Sequence, residues 1–231
     1  MKRNHGKFLI VAAIPLIVAA SPTLAFTCNP NVPPTWDPSV SVPRTATIGW
    51  GTVIGKNVTI SSYVKIGTCG DIGTDGNGGS ISSRATLDNN VTMSNGSGIG
   101  GSASIGAGST IDGSKVNSHA DIGPGSTITG GAVGSYSKVG AGATITGSKI
   151  DQYVRTGISP TVTGGAYLGY SSDYGDNVTV DNSRVNRDAR VDSGSVSPTS
   201  ITNGAYIGAS AHVCASVDGM YIAAHTQYGC Q

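Results

Sequence analysis

Beyond residue 25, His119, His212 and His225 are the side chains best suited to move protons near neutral pH. They are poorly placed to share a metal, because the nearest pair, His212 and His225, stands 13 residues apart. Four cysteines, Cys28, Cys69, Cys214 and Cys230, contain no Cys-x-x-Cys pair and read as two disulfides. The preferred pairing is Cys28 with Cys69 and Cys214 with Cys230, one bridge near each end, although three connectivities are open. Asp75-Gly76-Asn77-Gly78 offers one carboxylate and one amide, too few oxygens for Ca²⁺, and reads as a glycine-rich turn. No metal, cofactor or catalytic residue is therefore expected. The richest array is of hydroxyls: Thr92, Thr110, Thr127, Thr144, Thr161, Thr179 and Ser200 each precede an aliphatic residue, and Ser94, Thr129, Thr146, Thr163 and Thr202 follow one.

The elements that position these hydroxyls follow from a rhythm of aliphatic residues. Ile48, Ile54, Ile60, Ile66 and Ile72 lie six apart, as do Ile81, Leu87, Met93, Ile99, Ile105 and Ile111. From Ile105 the steps become six, five and six, so Ile105, Ile122 and Val139 head three similar 17-residue units. The residue two before each aliphatic is mostly small, as at Ser109, Ala120, Ser126, Ala143, Ala166, Ala205 and Ala211. Residues two apart on a strand share a face, so both columns point inward. With only 6% aromatic residues and 35 glycines, the chain cannot build a broad core, but a solenoid needs only a narrow continuous one.

This pattern, from Thr47 to Val213, is similar to the hexapeptide repeat of left-handed parallel β-helices. The resemblance implies an all-β, single-stranded, triangular β-solenoid of about nine coils of 17 to 18 residues, a rod of roughly 43 Å. Thr74–Ser80 and Ser193–Pro198 are expected as loops extruded at corners. Residues 26–44, rich in proline and holding Trp36, are expected to cap the first coil, residues 45–213 to form the β-helix, and residues 214–231 to cap the last.

The three outer faces differ. One carries Asp121, Lys138, Arg155, Asp173 and Arg190, expected to form a weak cross-strand charge ladder. Another carries Lys115, Ala132, Lys149, Tyr167, Arg184 and Tyr206, expected to be an ordinary solvated face. The third carries the hydroxyls, with Thr127, Thr129, Thr144, Thr146, Thr161 and Thr163 as stacked Thr-x-Thr pairs. That array resembles the ice-matching face of insect β-helical antifreeze proteins, which implies ice or another extended surface as partner; Asp112 and Asp181 depart from it. A cell-surface adhesin or extracellular scaffold is the alternative. Hexapeptide-repeat acyltransferases use a corner histidine at a subunit interface, so His119 is the candidate base of a distant third reading. The γ-class carbonic anhydrases of similar fold need three converging histidines, which the repeat keeps coils apart here. The fold also implies a possible homotrimer.

Lys2, Arg3 and Lys7, the apolar run 8–20 and Thr23-Leu24-Ala25 read as a signal peptide over residues 1–25, cleaved after Ala25. A secreted or periplasmic protein follows. Without the leader, 11 basic residues face 13 acidic ones, all Asp, a balance of about −2 that argues against nucleic acid or an anionic membrane as partner.

Overall fold

The computed structural model describes residues 28–193 and 198–230, so the leader and most of the expected Ser193–Pro198 loop lie outside the described residues. Each coil contributes one short strand to each of three parallel sheets. The coil beginning at Ser104–Ile105 continues through Thr110–Asp112 and Lys115–Val116 before Asp121–Ile122 opens the next. Strands that follow Ser104–Ile105 form the charged sheet, those that follow Thr110–Asp112 the threonine sheet, and those that follow Lys115–Val116 the tyrosine sheet. They number 11, 11 and 10. The chain is a single-stranded, triangular left-handed β-helix.

Register is set by the aliphatic column. Ile105 pairs with Ile122, Ile111 with Ile128 and Val116 with Val133, each inside residue resting on its counterpart one coil away. Ile105, Ile111, Ile128, Val116 and Val133 are completely buried. Full burial of such side chains stabilises by roughly 1.5–3 kcal/mol apiece. The small residues of the second inward column are buried beside them. Ser109 and Ser126 additionally bridge coils, their hydroxyls donating to the Gly123 carbonyl at 3.2 Å and the Gly140 carbonyl at 3.3 Å. Two residues break the aliphatic column. Tyr174 is buried with its hydroxyl accepting from Ser172 at 3.1 Å, and burial pushes its phenol far above the ordinary range. Its register partner Thr156 is smaller and accepts from the Gly140 amide at 3.1 Å.

Corner geometry explains the two coil lengths. Five-residue steps from the threonine to the tyrosine sheet turn on one left-handed residue, Gly113, Gly130 or Gly147, at φ 53°, 60° and 58°. The six-residue steps at Asn95-Gly96, Gly164-Gly165 and Asn203-Gly204 use two. Glycine and asparagine reach that region at least cost, which suits them to these corners.

Both ends carry the expected disulfides, Cys28–Cys69 with Cα atoms 5.4 Å apart and Cys214–Cys230 with 5.0 Å. At the start, Thr35–Trp36 pairs with Val53–Ile54 and Val40 is buried. At the other end the structure has more coils than the expected nine: Val217–Asp218, Tyr221–Ile222 and Gln227–Tyr228 extend all three sheets. The steps from Val213 to Val217 to Ile222 are four and five, a shortening that hides a tenth coil from a period of five or six.

Candidate functional site

The threonine sheet holds Thr92, Thr110, Thr127, Thr144, Thr161 and Thr179 in one unbroken column, with Thr129, Thr146, Thr163 and Thr202 in the second. Register alone would make this a flat array, but its chemistry is interrupted. Carboxylates occupy the second column at Asp112, Asp181 and Asp218, and neighbouring hydroxyls donate to them: Ser94 at 2.7 Å, Thr163 at 2.8 Å and Thr202 at 2.9 Å. In the first column Thr92, Thr110, Thr161 and Thr179 are half-buried, while Thr127 and Thr144 are exposed. Hydroxyls committed to charged acceptors cannot hold a regular layer of water.

A different surface has been assembled at the corner between the tyrosine and charged sheets. His119, Tyr136 and Tyr153 each take its left-handed position, at φ 59°, 60° and 59°. Successive coils therefore superpose their rings: His119 on Tyr136 at 4.7 Å and 5°, Tyr136 on Tyr153 at 5.2 Å and 4°. The next tyrosine, Tyr170, again follows by 17 residues, but that coil is one residue longer and Ser171 takes the left-handed place. Tyr170 falls one position early and turns its ring 67° to that of Tyr153, at 5.4 Å. The break in the stack opens a groove of about 390 Å³, lined by Tyr136, Tyr153, Tyr170, Ser171, Ser172, Lys138, Arg155 and Asp173.

The floor of this groove carries two cations, Lys138 and Arg155, and one carboxylate, Asp173. Lys138 and Arg155 are register partners on adjacent strands, and like charges placed opposite each other destabilise a sheet. Among the described residues the ion pairs within 4 Å are Arg190–Asp192 and Asp192–His212, so the expected pairings of Asp121 with Lys138 and Arg155 with Asp173 are in register without direct contact. Two adjacent cations beneath a row of phenols form a surface suited to an anion bearing hydroxyls.

No protein-family model and no curated protein matches the sequence. Among solved structures, the chain is similar to the UDP-N-acetylglucosamine O-acyltransferase of Moraxella catarrhalis, at 13% identity over 74% of this chain and 68% of that one, with a TM-score of 0.44. It is also similar to the Francisella novicida UDP-N-acetylglucosamine acyltransferase, at 15% identity, 81% and 62% coverage and a TM-score of 0.30. A third is the Campylobacter jejuni enzyme, at 16% identity, 73% and 68% coverage and a TM-score of 0.29. The chain has the hexapeptide-repeat left-handed β-helix fold. The carboxylates across the threonine sheet correct the expectation of an ice-binding face, and of an adhesin or scaffold acting through that face.

The tyrosine sheet also departs from the ordinary solvated face expected of it. Tyr167 lies between Lys149, whose Nζ is 5.6 Å from the ring centre, and Arg184, whose guanidinium carbon is 4.9 Å from it. Tyr206 and Tyr221 stack at 5.0 Å. The Tyr167 hydroxyl donates to Asp151 at 2.5 Å. Burial works to raise the Asp151 carboxyl, but hydrogen bonds from Tyr167 and the Gln152 amide, with the charge of Lys149, outweigh it and hold the group below its ordinary value. The bond to Asp151, then burial, raises the Tyr167 phenol.

The remaining sequence candidates are dispersed. His119 ends the aromatic stack, His212 contacts Asp192 near the last disulfide, and His225 is exposed on the last coil. Asp75 accepts from the Asn95 amide at 2.6 Å and the Asn77 side chain at 2.9 Å, so its carboxylate fastens the extruded loop to the next coil. The tyrosine corner was overlooked in the sequence although its signal is there: positions 119, 136, 153 and 170 are spaced by 17, one coil of the central repeat.

Proposed function

We propose that this protein binds an acidic oligosaccharide strand along the corner groove. The adjacent cations Lys138 and Arg155, beneath the half-exposed Tyr136, Tyr153 and Tyr170, carry the reading. Sugar carboxylates or sulfates neutralise the cation pair, and sugar hydroxyls exchange hydrogen bonds with the phenols and with Ser171. Tyrosine and arginine supply contact area and charged donors at modest conformational cost, as at other recognition surfaces. A rigid solenoid has already lost the entropy of ordering these groups.

Calorimetric titration with acidic oligosaccharides and their neutral counterparts tests the proposal. The acidic ligand binds and the neutral one does not, binding weakens with salt, and Arg155→Ala loses about 10- to 100-fold, the equivalent of one charge-assisted hydrogen bond of roughly 1.5–3 kcal/mol. Equal affinity for both ligands, or an unaffected Arg155→Ala, refutes it. The expected export with cleavage after Ala25 belongs to the same proposal, because such polysaccharides are extracellular ligands; N-terminal sequencing of secreted protein checks it. Sedimentation velocity reads the oligomeric state, for which the fold implies a possible homotrimer.

Acyl transfer is a second reading, and one observation favours it: the exposed His119 ring lies against Tyr136 at the rim of the groove, where a base would meet a bound hydroxyl. UDP-N-acetylglucosamine, named as a substrate of the similar enzymes, is itself an anionic sugar. Transfer from an acyl thioester to that sugar nucleotide, abolished in His119→Ala, supports this reading, and no turnover by the wild type removes it.

A further inference from the structure

The charged sheet ends in a cluster that the groove does not use. His212 follows Arg190 in register, and Cys214, two residues on, is bridged to Cys230. His212 Nε2 lies 3.3 Å from Cys214 Sγ and 2.7 Å from Asp192 Oδ2. The nitrogen of His212 and the sulfurs of Cys214 and Cys230 all fall within 4.8 Å of one another, and all four residues are half-buried. The second oxygen of Asp192 accepts from Arg190 Nε at 2.7 Å, which fixes the carboxylate with Oδ2 toward the imidazole.

These separations suit a tetrahedral thiophilic cation. With metal–sulfur bonds of about 2.3 Å and metal–nitrogen or metal–oxygen bonds of about 2.0 Å, neighbouring ligand atoms lie about 3.3–3.8 Å apart. Nitrogen to sulfur is already near that spacing, and nitrogen to oxygen needs only to open slightly. The two sulfurs are the obstacle, being bonded to each other, and the Asp192 carboxylate, which lies outside the 4.8 Å group, must close on them once they part. Among the described residues no other group of three such ligands converges, and Cys28–Cys69 has no histidine or carboxylate gathered about it.

We propose that the Cys214–Cys230 disulfide conceals a zinc site, opened by reduction with a dithiol and completed by His212 and Asp192. In the first step the dithiol gives two electrons and two protons, becomes a cyclic disulfide, and leaves Cys214 and Cys230 as thiols. In the second, zinc displaces both thiol protons to solvent and takes two thiolates, the Nε2 lone pair of neutral His212 and Asp192 Oδ2. Arg190 keeps its bond to the other carboxylate oxygen and orients the ligand, the part played by outer partners at metal sites. The bridge and the metal are mutually exclusive, so the end of the rod is fastened either by a covalent bond or by a cation.

Cobalt(II) titration of the full chain, with and without prior reduction by a dithiol that is then removed under anaerobic conditions, tests this. The reduced wild type takes up one cobalt per chain, with sulfur-to-cobalt charge-transfer absorption in the near ultraviolet and tetrahedral d–d bands in the visible, both lost on adding zinc. Oxidised protein shows neither. After the same reduction, Cys214→Ser/Cys230→Ser, which keeps the Cys28 and Cys69 thiols, loses the charge-transfer band, and His212→Ala weakens cobalt binding at least tenfold. Circular dichroism of the reduced chain shows the β signal retained, and zinc raises its melting temperature. The absence of charge-transfer absorption in reduced wild type, its persistence in the double serine variant, or affinity unchanged in His212→Ala each overturns the proposal and leaves the bridge a staple.

Discussion

Tyr153 is the rung whose replacement separates structural from binding roles. Its ring stacks on Tyr136 at 5.2 Å and meets Tyr170 edge-on at 5.4 Å. At about 0.5–1.5 kcal/mol per aromatic pair, truncation to alanine forfeits about 1–3 kcal/mol. Its backbone stands at φ 59°, where a Cβ costs about 1 kcal/mol or somewhat more, and alanine retains that cost. Glycine removes it. Tyr153→Gly should therefore be the more stable of the two variants by about 1 kcal/mol, a difference of about 2–4 °C in melting temperature for a chain of this size. Binding should fall equally in both, because each lacks the phenol. Thermal melts followed by circular dichroism, paired with calorimetric titration of an acidic oligosaccharide, read the two effects apart. A glycine variant that melts at or below the alanine variant refutes the corner-strain argument, and full affinity in either refutes the place of Tyr153 in the groove.

Exchanging two adjacent residues, Tyr170→Ser with Ser171→Tyr, puts a tyrosine in the left-handed place, extends the parallel stack and closes the groove; the melting temperature should hold while ligand affinity drops at least tenfold. Asp151→Asn tests the bond from Tyr167: because the folded carboxyl sits below its unfolded value of about 3.9, its stabilisation is complete above that pH and fades as pH falls through the folded value. Wild type and variant should differ in melting temperature at pH 7 and converge toward pH 2. Gly140→Ala should destabilise by several kcal/mol in chemical denaturation, since a Cβ there overlaps the Gly157 carbonyl on the adjacent coil. Ile128→Ala should cost about 2–5 kcal/mol in the same assay, as for other fully buried aliphatic residues.

The inside of this protein was more legible than its outside. Each aliphatic position from Ile48 to Val213 falls on the sheet that the rhythm assigns it, because a narrow core tolerates only one side chain per strand and a slip of one residue would expose it. The threonine column was legible for the same reason. What the threonines do was not, since it depends on which hydroxyls reach Asp112, Asp181 and Asp218 across coils. The tyrosine corner lay beyond a reading built on alternation: at a corner the backbone leaves the β region, and side-chain direction is set by one positive φ rather than by parity. The spacing of His119, Tyr136 and Tyr153 was visible, but only the shared corner position makes it a stack. Tyr170 shows the converse, where identical spacing conceals a different place in the turn. The last coil was missed because its first step, Val213 to Val217, is shorter than any before it.

Because each inward residue rests on its counterpart one coil away, the smallest insertion that leaves both surfaces in phase is an entire turn of the rod. Duplicating residues 122–138 would lengthen the molecule by about 4.8 Å and add another copy of Tyr136 and Lys138 to the corner. No new packing problem arises, since the added turn meets neighbours like those it copies. A protein built in this way acts as a ruler: the length of strand it can engage is written as a count of turns, and can be reset without redesigning any one of them.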